Sequence, residues 1–334
     1  MQGLIQESLD FERGGTQKSV YSPDEVMTVP CPLCGNQRRE HLCVEHGTIG
    51  VVRCLDCSLI YASPRLKAPE QLYWGDALKF FEEGRVIFKG HAPHHRDANY
   101  DEELALIRKY KPSGRFLDVG CNMGFLLRKV REGGWEAVGV EPSPSLAKLA
   151  REQWKLPIHN CFLDKLPIEE AGTFDVVALS DVFEHVTMPL RFLKDVQRLM
   201  KDDGIVYIKV PNARFSQFKQ RMLERMGRKF AAGVWDSDEH VVHYTDDTIR
   251  TMLGKVGFDV VEVTFGKPVN APVWHEYVGH YYLNPTPWYL DWKRVVGRTA
   301  FYYASFPERL LRGGKVGVLA HNLVVIARKR SART

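Results

Sequence analysis

At 334 residues, with 44% apolar and 26% charged side chains, the chain can bury a large core, which excludes a fibrous, low-complexity or disordered protein. Its net charge of +5 is modest and Lys329, Arg330 and Arg333 make only a short basic tail, so no nucleic-acid partner is expected. No apolar stretch reaches the about 18 residues of a membrane span, and no apolar leader opens the chain, so a cytoplasmic location is expected.

Residues 1–29 are polar and turn-rich and read as a flexible tail. Residues 30–66 hold Cys31-Pro-Leu-Cys34 and, after nineteen intervening residues, Cys54-Leu-Asp-Cys57. Two C-x-x-C knuckles at that spacing can set four thiolates around one zinc ion, as in a zinc ribbon. Disulfides are the competing reading, but seven cysteines, an odd number, and no secretory leader favour a reducing compartment. Cys43, Cys121 and Cys161 are then ordinary thiols. With four protein ligands such a zinc is closed to substrate and therefore structural. Zinc ribbons also occur in nucleic-acid binders, which keeps a nucleic-acid or partner-binding module as the alternative reading.

Residues 67–112 read as a helical linker or lid, broken at Gly90-His-Ala-Pro-His-His-Arg96. His91, His94 and His95 either face the site that follows or belong to a solvated loop, and the solvated loop is preferred. From residue 113 the pattern changes to alternating strands and helices, which implies a parallel sheet with right-handed crossovers. Phe116, Leu117 and Val119 form a short strand, followed by the turn Gly120-Cys-Asn-Met-Gly124. A second strand then ends in Glu141, 21 residues after Gly120. A carboxylate there can accept both hydroxyls of a ribose. The turn lacks the G-x-G-x-x-G spacing that seats a pyrophosphate, and Asp118 just before it suits a cationic amino or sulfonium group better than a diphosphate. These residues favour S-adenosylmethionine.

At this point the chain resembles the class I S-adenosylmethionine-dependent methyltransferases, whose first motif is close to L-D-V-G-C-G-x-G; here Asn122 replaces the central glycine. The resemblance implies an α/β, Rossmann-like seven-stranded sheet over residues 113–334, with a small N-terminal zinc ribbon and an aromatic-rich C-terminal insertion. Later segments continue in family order: a strand at Thr173–Leu179, a helix at Pro189–Met200, a strand at Asp203–Pro211, a capped helix at Thr245–Gly257 with a glycine stop, and strands at Phe258–Phe265 and His321–Arg328. The last two form the final antiparallel pair in the resembled fold. Its cofactor set maps onto Asp118, Gly120, Cys121, Asn122, Gly124, Glu141 and Ser180, and family position puts Phe162 and Leu163 against the adenine. The cysteine knuckles together with Asp181-Val-Phe-Glu-His185 and Glu239-His-Val-Val-His-Tyr-Thr245 are similar to bacterial methyltransferases with an N-terminal zinc-binding domain. Members of that group commonly act on nucleotide sugars, surface polysaccharides or secondary metabolites. This implies a small-molecule or glycan acceptor, with a hydroxyl preferred over a carbon.

Ligands bind at the carboxyl ends of strands in such sheets, so acceptor chemistry is expected there. His185, His243 and His240 are the candidate general bases, ranked in that order; a structural histidine capping the turn is the competing reading for each. Asp181, Glu184 and His185, at i, i+3 and i+4, would share a helical face and permit a Mg2+ site like the E-x-x-E-H of quinone-biosynthesis O-methyltransferases, although the metal-free reading is preferred. Insertions 212–244 and 266–320 are expected to cover the acceptor. The second carries Trp274, Tyr277, Tyr281, Tyr282, Trp288, Tyr289, Trp292, Phe301, Tyr302, Tyr303 and Phe306. Those rings suit core packing, sugar stacking or weak peripheral contact with a membrane.

Overall fold

The computed structural model describes residues 20–70, 88, 94, 96–227, 233–268, 277–278, 286–287 and 292–330. Its strands are β1 (Val26–Met27), β2 (Arg39–Glu45), β3 (Ile49–Cys54), β4 (Ile60–Ala62) and β5 (Arg65–Leu66), then, after helix α1 (Asp97–Arg108), β6 (Arg115–Val119). Helix α2 (Phe125–Glu132), β7 (Glu136–Val140), α3 (Pro144–Trp154), β8 (Ile158–His159), β9 (Phe174–Ser180), α4 (Pro189–Leu199) and β10 (Met200–Pro211) follow. The chain continues through α5 (Ala213–Arg225), β11 (Val242–His243), α6 (Asp246–Lys255), β12 (Phe258–Thr264), the pair β13 (Tyr277–Val278) and β14 (Thr286–Pro287), α7 (Trp292–Leu311) and β15 (Asn322–Lys329).

Seven strands form one sheet in the order β12-β15-β10-β9-β6-β7-β8. Strands β6 to β10 pair in parallel, and β15 runs antiparallel to both β10 and β12, the terminal pair that the sequence implies. The period of two sends alternate side chains into two cores. Leu117, Val119, Val177, Leu179, Val206 and Ile208 face one of them, while Phe116, Val176, Ala178, Ile205 and Tyr207 face the other. Helices α1, α2 and α3 cover the second face through residues such as Leu104, Leu127 and Leu146. On the first face, Leu193 and Val196 of α4 and Met252 of α6 pack beneath Leu33, Leu59 and Tyr61 of the N-terminal segment. Capping follows the expected residue types: Ser143 accepts from the Leu146 N–H with Pro144 at the first helical position, and Thr245 forms a reciprocal box with Thr248.

Two expectations need correction. Residues 20–29 do not belong to a flexible tail: β1 pairs with β5, and Tyr21, only 2% exposed, donates its hydroxyl to Asp238. Strand β11, in the 212–244 insertion, completes an antiparallel sheet of order β11-β4-β3-β2. Buried Glu45 at the end of β2 reinforces that join by accepting the N–H groups of Val234, Trp235 and Ser237. Finally, Asp181 has a left-handed backbone (φ 56°) and only Phe183–His185 forms a short 3₁₀ turn, so Asp181, Glu184 and His185 do not share an α-helical face. Of the aromatic insertion, Trp274, Tyr281, Tyr282, Trp288 and Tyr289 lie outside the described residues, as do His91 and His95. On α7, Phe301 packs on Phe215 and Phe218 and Tyr302, 7% exposed, packs on Phe265, whereas Phe306 touches Phe265 but stays 52% exposed.

Candidate functional site

At the carboxyl end of β6 the chain turns sharply, and the turn needs its glycines for packing as well as for conformation. Gly120 (φ 68°) and Gly124 (φ 77°) are both left-handed. A Cβ on Gly120 would come within 2.8 Å of Val182, and one on Gly124 within 3.0 Å of Trp154. Asn122 also takes the left-handed conformation (φ 49°), with its own Oδ1 accepting the Met123 N–H at 2.7 Å, which explains how it replaces a glycine. Glu141, at the end of β7 and fully buried, accepts the N–H of Asn122 at 2.8 Å and of Ser143 at 2.9 Å. Each bond goes to a different carboxylate oxygen. Asp118 is 4% exposed, and burial foremost, with Glu103 and Glu141 adding to it, raises its carboxyl well above the ordinary range. A buried cluster of like charges of this kind fits a cationic ligand. Cys121 is a buried thiol, not a thiolate, since burial raises it too. Leu163 is buried in the core whereas Phe162 is 46% exposed beside it.

The end of β9, next to β6 in the sheet, carries a charge network that the sequence did not announce. Arg96, just before α1, lies 2.7 Å from Asp181 and donates to the Ser180 hydroxyl at 3.1 Å. Ser180 in turn donates to Glu103 at 3.0 Å, so its hydroxyl is already engaged on both sides. Lys209, near the carboxyl end of β10 and 3% exposed, reaches Glu103 at 2.9 Å and Asp181 at 3.6 Å. Burial alone would raise the Asp181 carboxyl, but Arg96 and then Lys209 outweigh it and hold Asp181 below its usual range. Two signals could have found this network. Lys209 interrupts the apolar run Ile205-Val-Tyr-Ile-Lys-Val210, and Glu103 occupies the apolar phase of α1 with Tyr100, Leu104 and Ile107. Replacing Lys209 with Met should cost about 3 kcal/mol in denaturant unfolding, because buried Glu103 loses its nearest cation and keeps only Arg96 at 3.5 Å and the Ser180 hydroxyl. Adding Glu103→Gln should recover part of that loss.

Beyond Asp181, the His185 and His240 rings meet edge to face with centroids 4.8 Å apart, and His185 Nδ1 lies 3.1 Å from the Glu239 carbonyl. Loss of hydration among packed side chains, more than any charge, lowers His185 to about 3 and His240 to about 4. Glu184, buried with one carboxyl oxygen unpartnered, is raised well above its usual value by burial and then by Asp181. At this end of the sheet the group that could hold a metal is Glu184, His185 and His240, whose ligand atoms lie within 4.8 Å of one another, while Asp181 pairs with Arg96 and Lys209. His243 lies on β11, paired with Ile60, with its ring against Trp235 and its Nε2 buried without a hydrogen-bond partner. His94, expected in a solvated loop, is instead buried and stacks on Phe125.

The cysteine knuckles converge. Sγ of Cys31 is 3.5 Å from that of Cys57, and Cys34 is 3.5 Å from Cys54, with all four within 4.8 Å. A disulfide requires about 2.05 Å, whereas sulfurs around one tetrahedral zinc lie roughly 3.8 Å apart. Both knuckles close alike: Gly35 and Ser58, each with a left-handed backbone, donate to the carbonyls of Cys31 and Cys54. Burial pushes the Cys57 thiol up to about 11, a cost that a bound cation would reverse. The four sulfurs thus fit a zinc ion.

A family described as a methyltransferase domain matches residues 93–263, just over half of the chain. The chain belongs to that family and carries a class I S-adenosylmethionine-dependent methyltransferase domain. A ubiquinone biosynthesis O-methyltransferase of Cereibacter sphaeroides is 29% identical over 171 residues, 49% of this chain and 68% of that one. Its counterpart in Xanthomonas campestris is 27% identical over 140 residues, 40% of this chain and 56% of that one. The solved 1,6-didemethyltoxoflavin-N1-methyltransferase of Burkholderia thailandensis, with bound S-adenosylhomocysteine, superposes with a TM-score of 0.46 at 14% identity, covering 88% of this chain and 100% of that one. Among the described residues no helix is long and apolar enough to cross a membrane.

Proposed function

We propose that this protein transfers the methyl group of S-adenosylmethionine to a hydroxyl of a small molecule or glycan, with a structural zinc in its ribbon. One juxtaposition carries the reading. The acidic pocket of Asp118 and Glu141 adjoins the Asp181 turn, since Val182 is the residue that a Cβ on Gly120 would strike. Near the turn's far side stand two neutral imidazoles. The relatives named as O-methyltransferases support oxygen over carbon as the acceptor atom. The sulfonium supplies the methyl group, and the chain supplies the rest. Glu141 accepts from the ribose hydroxyls, Asp118 meets the cationic methionine end, and His185 or His240 takes the acceptor proton. Because His185 and His240 adjoin one another and His243 packs against Trp235, we now rank His240 above His243. Mass-spectrometric transfer assays over nucleotide sugars, glycans and phenols test the reading. Cofactor binding without transfer to any acceptor class would favour the ribbon module on a non-catalytic scaffold.

Cofactor affinity should rise with pH. The Asp118 carboxyl is raised in the free protein, while a cationic ligand holds it ionised. The free protein therefore carries more protons than the complex, and binding releases them until pH exceeds the free-state value. Titration calorimetry in buffers of differing ionisation enthalpy should detect that release, and Asp118→Asn should bind more weakly and lose the pH dependence. An affinity unchanged in this variant would remove Asp118 from the pocket.

A further inference from the structure

Helix α7 reverses the usual arrangement of a surface helix. Two of its charged side chains are spent inward: Glu308 accepts the N–H groups of Val318 and Leu319, and Arg309 donates to the Val263 carbonyl and the Thr264 hydroxyl. Val295, Tyr302 and Ser305 are buried on the same helix. The outward side carries Val296, Tyr303, Phe306, Leu310 and Leu311 at helical spacing, each more than half exposed, with Leu310 at 81% and Leu311 at 87%. From Val296 to Leu311 no charged residue falls on that stripe, where a surface helix ordinarily places its charges. At about 1.5 Å per residue the stripe runs for roughly 22 Å, so it is one continuous apolar face and not a scatter of single residues.

The charge around the stripe is of one sign. From Trp292 to Lys315 the chain holds Lys293, Arg294, Arg298, Arg309, Arg312 and Lys315 against Glu308 alone, a net of +5 that equals the net charge of the whole protein. Lys293 and Arg294 belong to the first turn of α7, and Arg312 and Lys315 are exposed just beyond its last, although Lys315 also reaches Asp247 at 2.7 Å. The apolar face is therefore bracketed by cations. Trp288, Tyr289 and Trp292 open this stretch in the sequence, and those residue types favour a membrane–water interface. A second copy suits the face less well: antiparallel contact would set Arg312 and Lys315 of one copy against Lys293 and Arg294 of the other, and parallel contact would set each pair against itself.

We propose that α7 lies flat on a membrane surface containing anionic phospholipid, with its apolar stripe among the headgroups and upper acyl carbons and its terminal cations on lipid phosphates. The helix rests in the interface and does not cross it. This inference stands apart from the methyltransferase reading, since no residue assigned above to cofactor or proton transfer belongs to α7.

Co-sedimentation of the zinc-loaded full chain with vesicles of phosphatidylcholine alone, and of phosphatidylcholine with about 30 mol% phosphatidylglycerol, tests this. The anionic vesicles should bind at least about tenfold more tightly, as two or more engaged cations require, and added salt should weaken them. Arg312→Gln should lower affinity for the anionic vesicles about fivefold. The double variant Leu310→Ser, Leu311→Ser should lower it at least about tenfold. Both leucines are exposed, so the melting temperature should not change, and neither should the affinity for S-adenosylmethionine, which separates failure here from failure of the methyltransferase reading. Equal binding to the two vesicle types, or binding by the double leucine variant as tight as by the unaltered chain, would overturn the proposal. So would a dimer in sedimentation velocity that the double leucine variant dissociates, with no binding to either vesicle, because the stripe would then belong to a second copy.

Discussion

Cys54→Ser should release the zinc and unfold the ribbon. Metal binding to ribbon-sized sites contributes about 10–16 kcal/mol, comparable with or larger than the 5–15 kcal/mol that stabilises a whole domain, so the ribbon should not hold its fold without metal. The effect should extend beyond the ribbon. Strand β11 loses its partner β4, and the Val234–Ser237 segment loses the Glu45 carboxylate that accepts its N–H groups. His240 lies between those two supports. Cofactor binding, built on β6 and β7, should survive while methyl transfer falls. Elemental analysis, thermal melting and cofactor titration on the same preparation check the three parts. Full zinc content and an unchanged melt in Cys54→Ser would count against the ribbon assignment.

The second large effect is expected at the histidine pair. His185→Ala or His240→Ala, whichever removes the base, should lower kcat by about 10²–10⁴ with cofactor affinity intact. Their protonation gives a further check. Both rings are lowered, to about 3 and about 4, so the neutral form needed to accept a proton is already present at pH 6, and kcat/KM should show no limb from these rings near the ordinary histidine value. The stability consequence has the opposite appearance. His185, His240 and His243 have depressed values in the fold, so the unfolded chain binds more protons between those values and about 6.5. Stability present above about pH 6.5 should therefore be lost progressively on acidification, and melting curves from pH 7.5 to 5 would show it. A melting temperature that rises on acidification over this range would contradict the neutral assignment of these rings.

Most of the sheet was legible because local chemistry and global role coincide there. Strands buried on both faces must be continuously apolar, so Phe116-Leu-Asp-Val119 and Phe174–Leu179 announce themselves, and Thr245 and Gly257 mark the ends of α6 by what their backbones and side chains can do. The cysteine knuckles were legible for the same reason: two ligands fixed by each tight turn need only be brought together.

The charge network was less visible. Arg96, Glu103, Ser180, Asp181 and Lys209 come from α1, its preceding loop, β9 and β10, and no spacing rule links residues up to 113 positions apart. The short turn after β9 also defeated a helical reading, because the left-handed Asp181 changes the direction of the chain before Phe183–His185 and a three- or four-residue spacing no longer means a shared face.

By itself, then, the sequence determined the parallel sheet, the glycine turn with its carboxylates and the four-cysteine cluster, since each depends on neighbours along the chain or on a turn that carries its own geometry. Only the tertiary structure decided that His185 meets His240 while His243 turns to Trp235, that Asp181 pairs with Arg96 and Lys209, and that β11 joins the ribbon's sheet. Those outcomes depend on which distant groups can bury together with their charges and hydrogen bonds satisfied, a condition that is set only when the whole chain has packed.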